Sequence, residues 1–237
     1  MEQDPTRRDF LKKLAGATGA LVIAPTFAAC GGGAEEAPAP EPEPEPTVGA
    51  EEPVAAEPDP LAIPQTKPAD WDAIAFNKER GNAGAIPESY LPSINGPDGD
   101  TQHLGKHLPY LAEVDEGDVP AGMIALMWGD PAMGYARHPN APPTEDNPDG
   151  HWYDWIRIRK ATEGEAEEAE SHYRGWPEVE QPEDGGYAVM GGGSITADGG
   201  KNTIYLAKLP ADVSPGDTIR VHAHCLTHGE YVDFVVV

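Results

Sequence analysis

Cysteine is nearly absent from this chain: two in 237 residues, Cys30 and Cys225. A disulfide framework needs more, and so does a four-cysteine zinc or iron–sulfur site. Basic side chains are also scarce, 16 against 41 acidic, which gives a net charge of −25. That balance argues against nucleic acid as a partner, because phosphate backbones are gripped by clustered Lys and Arg. Apolar residues make up only 39%, below the usual globular range. The N-terminal apolar stretch is shorter than the ~20 residues a membrane-spanning helix needs. Glycine and proline are abundant, 27 and 26, so part of the chain is not expected to pack. These balances leave a single acidic domain with non-globular sequence attached.

Residues 1–30 read as an export signal. Arg7-Arg8 with Phe10-Leu11-Lys12 stand before the apolar, small-residue stretch Leu14–Ala29, the arrangement of a twin-arginine signal peptide. The stretch ends Thr26-Phe27-Ala28-Ala29-Cys30-Gly31, which is similar to a lipobox with Phe27 where Leu is usual. Lipidation of Cys30 is the preferred reading, and plain cleavage after Ala28-Ala29 is the alternative. Residues 31–66 hold nine acidic and no basic side chains, including Glu41-Pro42-Glu43-Pro44-Glu45-Pro46. Alternating proline blocks helix and alternating glutamate self-repels, so this segment reads as an extended, disordered tether. An exported protein held at the extracytoplasmic (periplasmic) face of a membrane through Cys30 is the expected location.

Of the charged residues, 29 acidic and 12 basic lie in 67–237, a net −17. Residues 67–100 form an N-terminal extension of unassigned structure. Beyond it, apolar segments separated by Gly/Pro/Asp turns suggest short strands: Ala121–Trp128, Trp152–Arg159, Thr203–Ala207, Thr218–Cys225 and Tyr231–Val237. With no long helical period, these predict an all-β, antiparallel β-sandwich over 101–237. Residues 161–184, with nine acidic side chains and Arg174 as the one basic residue, are expected to be a solvated loop. Gly191-Gly192-Gly193-Ser194 is expected to be a flexible turn, because no Gly-Lys-Ser/Thr follows it. Trp152 and Trp155 are expected in the core or in a pocket wall.

The chemistry-bearing residues are Cys225 and the histidines. Cys225-Leu226-Thr227-His228 places a thiol and an imidazole close together at a strand end, where both can reach one metal ion. A buried structural cysteine with a histidine nearby is the plain alternative. Three further histidines lie beside strands or proline-stiffened turns: His107 in Lys106-His107-Leu108-Pro109, His138 in His138-Pro139, and His151 in His151-Trp152-Tyr153-Asp154-Trp155-Ile156.

Lys-His-x-Pro, His-Pro, His-x-x-x-Trp-Ile and Cys-x-x-His-Gly, in that order over residues 101–237, resemble the iron domain of superoxide reductase (neelaredoxin and desulfoferrodoxin). The resemblance implies an immunoglobulin-like β-sandwich. It also implies one mononuclear, non-haem iron per chain, cycling between Fe2+ and Fe3+. Its ligands would be His107, His138, His151 and His228 in a plane, with Cys225 axial and the sixth position open. The implied reaction is one-electron reduction of superoxide to hydrogen peroxide, with Lys106 as the catalytic residue that attracts the anion. An outside electron donor, a rubredoxin-like or other redox protein, would restore the ferrous state, and a homo-oligomer is a further implication.

The pattern departs from that family in three places. Gly105 stands where many members have Glu, the Asn140–Gly150 stretch is longer than usual, and Glu230-Tyr231 follow where an apolar residue and Trp are usual. A carboxylate at 230 is expected to alter the polarity near the thiolate. His103, His172, His222 and His224 have no counterpart, and the last two alternate on one strand face as outer-shell or solvent-facing groups. Two rival functions remain at this level. One is an iron-containing electron-transfer or binding module without superoxide turnover. The other is a copper protein, against which stands the lack of a Met after His228.

Overall fold

The computed structural model describes residues 59–173, 180–181, 186–190 and 199–237. The expected signal peptide, most of the tether and the Gly191–Ser194 turn lie outside the described residues. Among the described residues no helix is long and apolar enough to cross a membrane.

The order along the chain is a helical segment and then strands. Helix α1 spans Ala73–Arg80 and the single turn α2 spans Leu91–Ile94. The strands are β1 Pro109–Leu111, β2 Met123–Trp128, β3 Tyr153–Lys160, β4 Glu168–His172, β5 Glu180–Gln181, β6 Gly186–Met190, β7 Thr203–Lys208, β8 Thr218–Cys225 and β9 Gly229–Val236. They form two sheets of order β1-β2-β7-β6-β5 and β4-β3-β8-β9, with every pairing antiparallel. One core joins them: Leu126, Tyr205 and Ala207 from the first sheet pack with Ile156, Ile158, Val221 and Ala223 from the second. The arrangement is consistent with an all-β sandwich. The period of two explains strand β8, because Ile219, Val221, Ala223 and Cys225 belong to the core while Arg220, His222 and His224 take the other face, bonded to Glu168, Glu230 and Asp154.

Two expectations need correction. The acidic stretch 161–184 is not simply a solvated loop. It contains β4, paired to β3 from Trp155↔His172 to Arg159↔Glu168, with Ala169, Ser171 and Tyr173 buried. Its outward residues answer cations: Glu168 bonds Arg220 at 2.8 Å, and Glu170 bonds both Arg157 and His172. The acidic charge of that strand is therefore half of a cross-strand lattice, which composition alone does not reveal. Trp155 is also not in the core. A register shift between Tyr153 and Trp155 breaks the period of two, since the extra residue turns later side chains to the other face. Tyr153 stays buried, while Trp155 lies outside against His222, His224 and Arg157. Trp152 is buried, as expected.

The extension 67–100 is helical and tied to the sandwich. Asp72 caps α1 by accepting from the Ile74 and Ala75 amides. Strand β9 is an edge strand, and unpaired edges invite foreign strands. Here Asn77 closes it: its Nδ2 donates to the Val232 carbonyl at 2.7 Å, and the Val232 amide donates to Asn77 Oδ1 at 2.8 Å. Trp71 Nε1 donates to Asp233 Oδ1 at 2.8 Å, with its ring edge-on to Phe234. Packing begins before residue 67, because Pro64 accepts a bond from Arg220 and Gln65 one from the Gly164 amide.

Candidate metal centre

Four connections bring distant histidines to the end of β8. His107 closes a short 3-10 turn, Gly105–His107, directly before β1. His138 is set by its amide, which donates to the Trp128 carbonyl at 3.1 Å. That approach requires Gly129, whose φ is +77° and where a Cβ would lie 2.0 Å from the Ala136 carbonyl oxygen. His151 is fixed by a two-way backbone pair with Ala141, both bonds 2.8 Å. The intervening stretch therefore loops out from a closed neck, and its unusual length does not move His151. Cys225 ends β8, and His228 follows in the turn to β9, its amide bonded to the Cys225 carbonyl. Thr227 Oγ1 donates to the Gly150 carbonyl at 3.0 Å, tying that turn to the His151 segment.

The result is one cluster. His107, His138, His151, Cys225 and His228 each offer a ligand atom, and these atoms all lie within 4.8 Å of one another. His228 Nδ1 lies 3.1 Å from His107 Nε2 and 3.0 Å from His151 Nε2. Cys225 Sγ lies 3.6 Å from His138 Nε2 and 3.8 Å from His228 Nδ1. His107, His138 and Cys225 are buried, while His151 and His228 are half-buried. The cluster therefore meets solvent on the His151/His228 side.

Electrostatics make this a site for a cation. His107 Nδ1 sits 2.6 Å from the His103 carbonyl. A carbonyl only accepts, so the proton is on Nδ1 and the Nε2 lone pair faces inward. Burial holds His107 and His138 well below the ordinary imidazole range, reinforced by the neighbouring histidines and Lys106. Burial likewise lowers His151 to about 4 and His228 to about 2. Neutral imidazoles facing one another leave lone pairs that protons cannot all satisfy. Burial also pushes the Cys225 thiol up to about 12, so at neutral pH it stays protonated unless a metal ion takes the proton's place. No carboxylate belongs to the set. Imidazole with thiolate suits iron, copper and zinc better than hard, oxygen-seeking ions. A buried cluster of four His and one Cys that can hold a metal ion is thus present, and its donors fit a soft or borderline metal.

The ring contacts around the cluster are the part that the motifs left out. Tyr231 stacks on His107 with centroids 4.2 Å apart and 6° between planes, and its hydroxyl donates to the His228 carbonyl. Tyr90 stacks on His228 at 3.8 Å. Asn140 braces the His138 segment, donating to Gly200 O at 2.9 Å and accepting from the Tyr205 hydroxyl at 2.6 Å. His103, which has no counterpart in the motifs, is the residue whose carbonyl holds His107. Tyr90 had no sequence signal, because nothing in the chain announces that the extension folds back over the site.

Lys106 sits on the rim, its Nζ 5.4 Å from the Tyr90 ring centroid. At Gly105 an added Cβ would meet the Tyr135 ring at 2.3 Å, so Gly105 and Tyr135 form one packed unit with no room for a carboxylate side chain. Glu230 does not face the thiolate as expected. It turns to the outer side, where it bonds His222 at 2.9 Å and Arg80 at 3.5 Å. His224 also lies outside, paired with Asp154 at 2.6 Å, and His172 pairs with Glu170. Comparison with protein-family models, curated proteins and solved structures finds no match.

Proposed function

We propose that the protein is a superoxide reductase with one iron held by His107, His138, His151, His228 and Cys225 on an immunoglobulin-like sandwich. The observation that carries the reading is the convergence of four neutral imidazoles and one buried thiol, without a carboxylate, beside a cation on the rim. The net reaction is superoxide plus one electron and two protons giving hydrogen peroxide. The iron supplies the one-electron couple, Fe2+ to Fe3+, and an external redox protein returns the electron.

The chain's own residues do the rest. Cys225, kept from water, provides one anionic sulfur donor once its proton has left. The His103 carbonyl holds the His107 tautomer, so one nitrogen always faces the site. Tyr90 and Tyr231 fix the planes of His228 and His107 by stacking. Lys106 supplies local positive charge in a domain of net −17, where a small anion would otherwise be repelled. Export by the twin-arginine route and anchoring through Cys30 would place this activity outside the cytoplasm.

The test is metal content and visible spectrum of the purified protein. One iron per chain, with a thiolate-to-iron band that appears on oxidation, supports the proposal; zinc, copper or no metal overturns it. The electron-transfer reading shares the same centre, and the Gly105–Tyr135 contact, which leaves out the family carboxylate, favours keeping it as the second reading. Lys106→Ala separates the two. It slows superoxide consumption several-fold if the site is an enzyme, and leaves partner electron transfer unchanged if it is not.

A further inference from the structure

Tyr90 belongs to the helical extension, far in sequence from every residue of the cluster except His107. It nevertheless sits at the solvent-facing side of the site. Its ring lies 3.8 Å from the His228 ring, 24° from parallel. The ring also lies beneath the Lys106 ammonium, 5.4 Å from its centroid. Its hydroxyl is 3.0 Å from His103 Nδ1, on the residue whose carbonyl fixes His107. The extension is held there by its neighbours. The Ala85 carbonyl packs so closely on Gly229, the residue after His228, that a Cβ there would come within 2.3 Å of it. Asn77 and Trp71 fasten the same segment to β9.

We infer that Tyr90 is a positioning residue that holds the Lys106 ammonium over the His151/His228 side of the centre and thereby sets its affinity for small anions. This rests on the proposed metal centre. An aromatic face attracts an ammonium within about 6 Å of its centroid, more strongly when water is excluded. A lysine on a surface loop otherwise samples many rotamers. Here one face of the ring fixes a ligand imidazole and the same ring fixes the cation, so the charge and the metal share one support. A tyrosine that only filled space would leave Lys106 indifferent to its removal.

The test uses cobalt(II) as the loaded metal and azide as the anion, read by the change in the cobalt absorption rather than by turnover. Tyr90→Leu is expected to weaken azide binding about fivefold, the effect of losing one partly exposed cation–π contact. Tyr90→Phe, which keeps the ring, stays within about twofold of the parent. Lys106→Met weakens binding at least as much, and adding Tyr90→Leu to it changes nothing further, because the two act as a unit. If Tyr90→Leu folds poorly, Tyr90→Met fills similar space without a π face and takes its place. Unchanged azide affinity in the ring-less variant, or effects that simply add, overturns the inference while the centre stands. Failure of the parent protein to take up cobalt overturns the centre and the inference with it.

Discussion

Strand β8 carries two sets of chemistry on its two faces. Inward, at the end of the strand, lies Cys225, met there by histidines from four connections that face one another; outward lie His222 and His224, each facing a carboxylate. Both sets are rich in imidazole, and the partner decides what each does. A histidine beside Glu230 or Asp154 has a local counter-charge and contributes to a network of side-chain bonds. Histidines whose nitrogens meet at about 3 Å with no counter-charge leave lone pairs for a cation. A count of histidines in the chain cannot make this distinction; the face of the strand does.

The sharpest way to break the contrast is Cys225→Ser. It keeps the shape and removes the soft donor, so metal affinity should fall beyond the 10–100-fold typical of outer-shell changes, with loss of any thiolate charge-transfer band. Equilibrium dialysis and absorption would measure both; a retained band would mean that the sulfur is not a donor. Next comes a pair of substitutions on opposite faces. His151→Ala should lower metal affinity at least about tenfold, and His224→Gln should leave it within about twofold. Equal effects would erase the distinction between the faces.

A pH series sharpens the contrast without mutation. The Cys225 thiol, pushed up to about 12 in the metal-free protein, must release its proton when metal binds. The proton is bound before loading and absent after it, so apparent affinity rises with pH. The expected slope is about tenfold per unit from pH 7 to 9, measured against a competing chelator. A flat profile would show that no proton leaves. The smallest effect concerns the extension. Asn77→Leu strands the Val232 amide and carbonyl at the edge of β9 and should cost about 1–3 kcal/mol in denaturant unfolding. No change there would mean that the edge is satisfied by other means.

What could be read in the sequence was local. Cys225 and His228 are three residues apart at a strand end, and Lys106-His107 and His138-Pro139 announce stiff loops, so the five donors were legible as a set by their order. The alternation of β8 gave its inner and outer faces directly. What escaped depends on contacts between distant segments. Trp155 faces outward because of one register shift that leaves no mark on residue type. Strand β4 hid behind its acidic side chains, whose partners Arg157 and Arg220 lie on β3 and β8. Tyr90 hid in an extension whose helices are short and whose apolar pattern is weak. The Asn140–Gly150 stretch stood out in the sequence only by its length, which the Ala141 pairing makes irrelevant to His151.

The depth of Cys225 has one more consequence, which concerns how long the protein lasts. Thiols are lost stepwise to sulfenic, sulfinic and sulfonic acids, and the loss follows exposure and thiolate character. The Cys225 side chain has no contact with solvent, and Cys30 is the one other cysteine in the chain with which it could form a disulfide. Among the described residues the one thiol is thus kept from solvent, and oxidation should begin at exposed Met133 before it reaches the sulfur of the candidate centre.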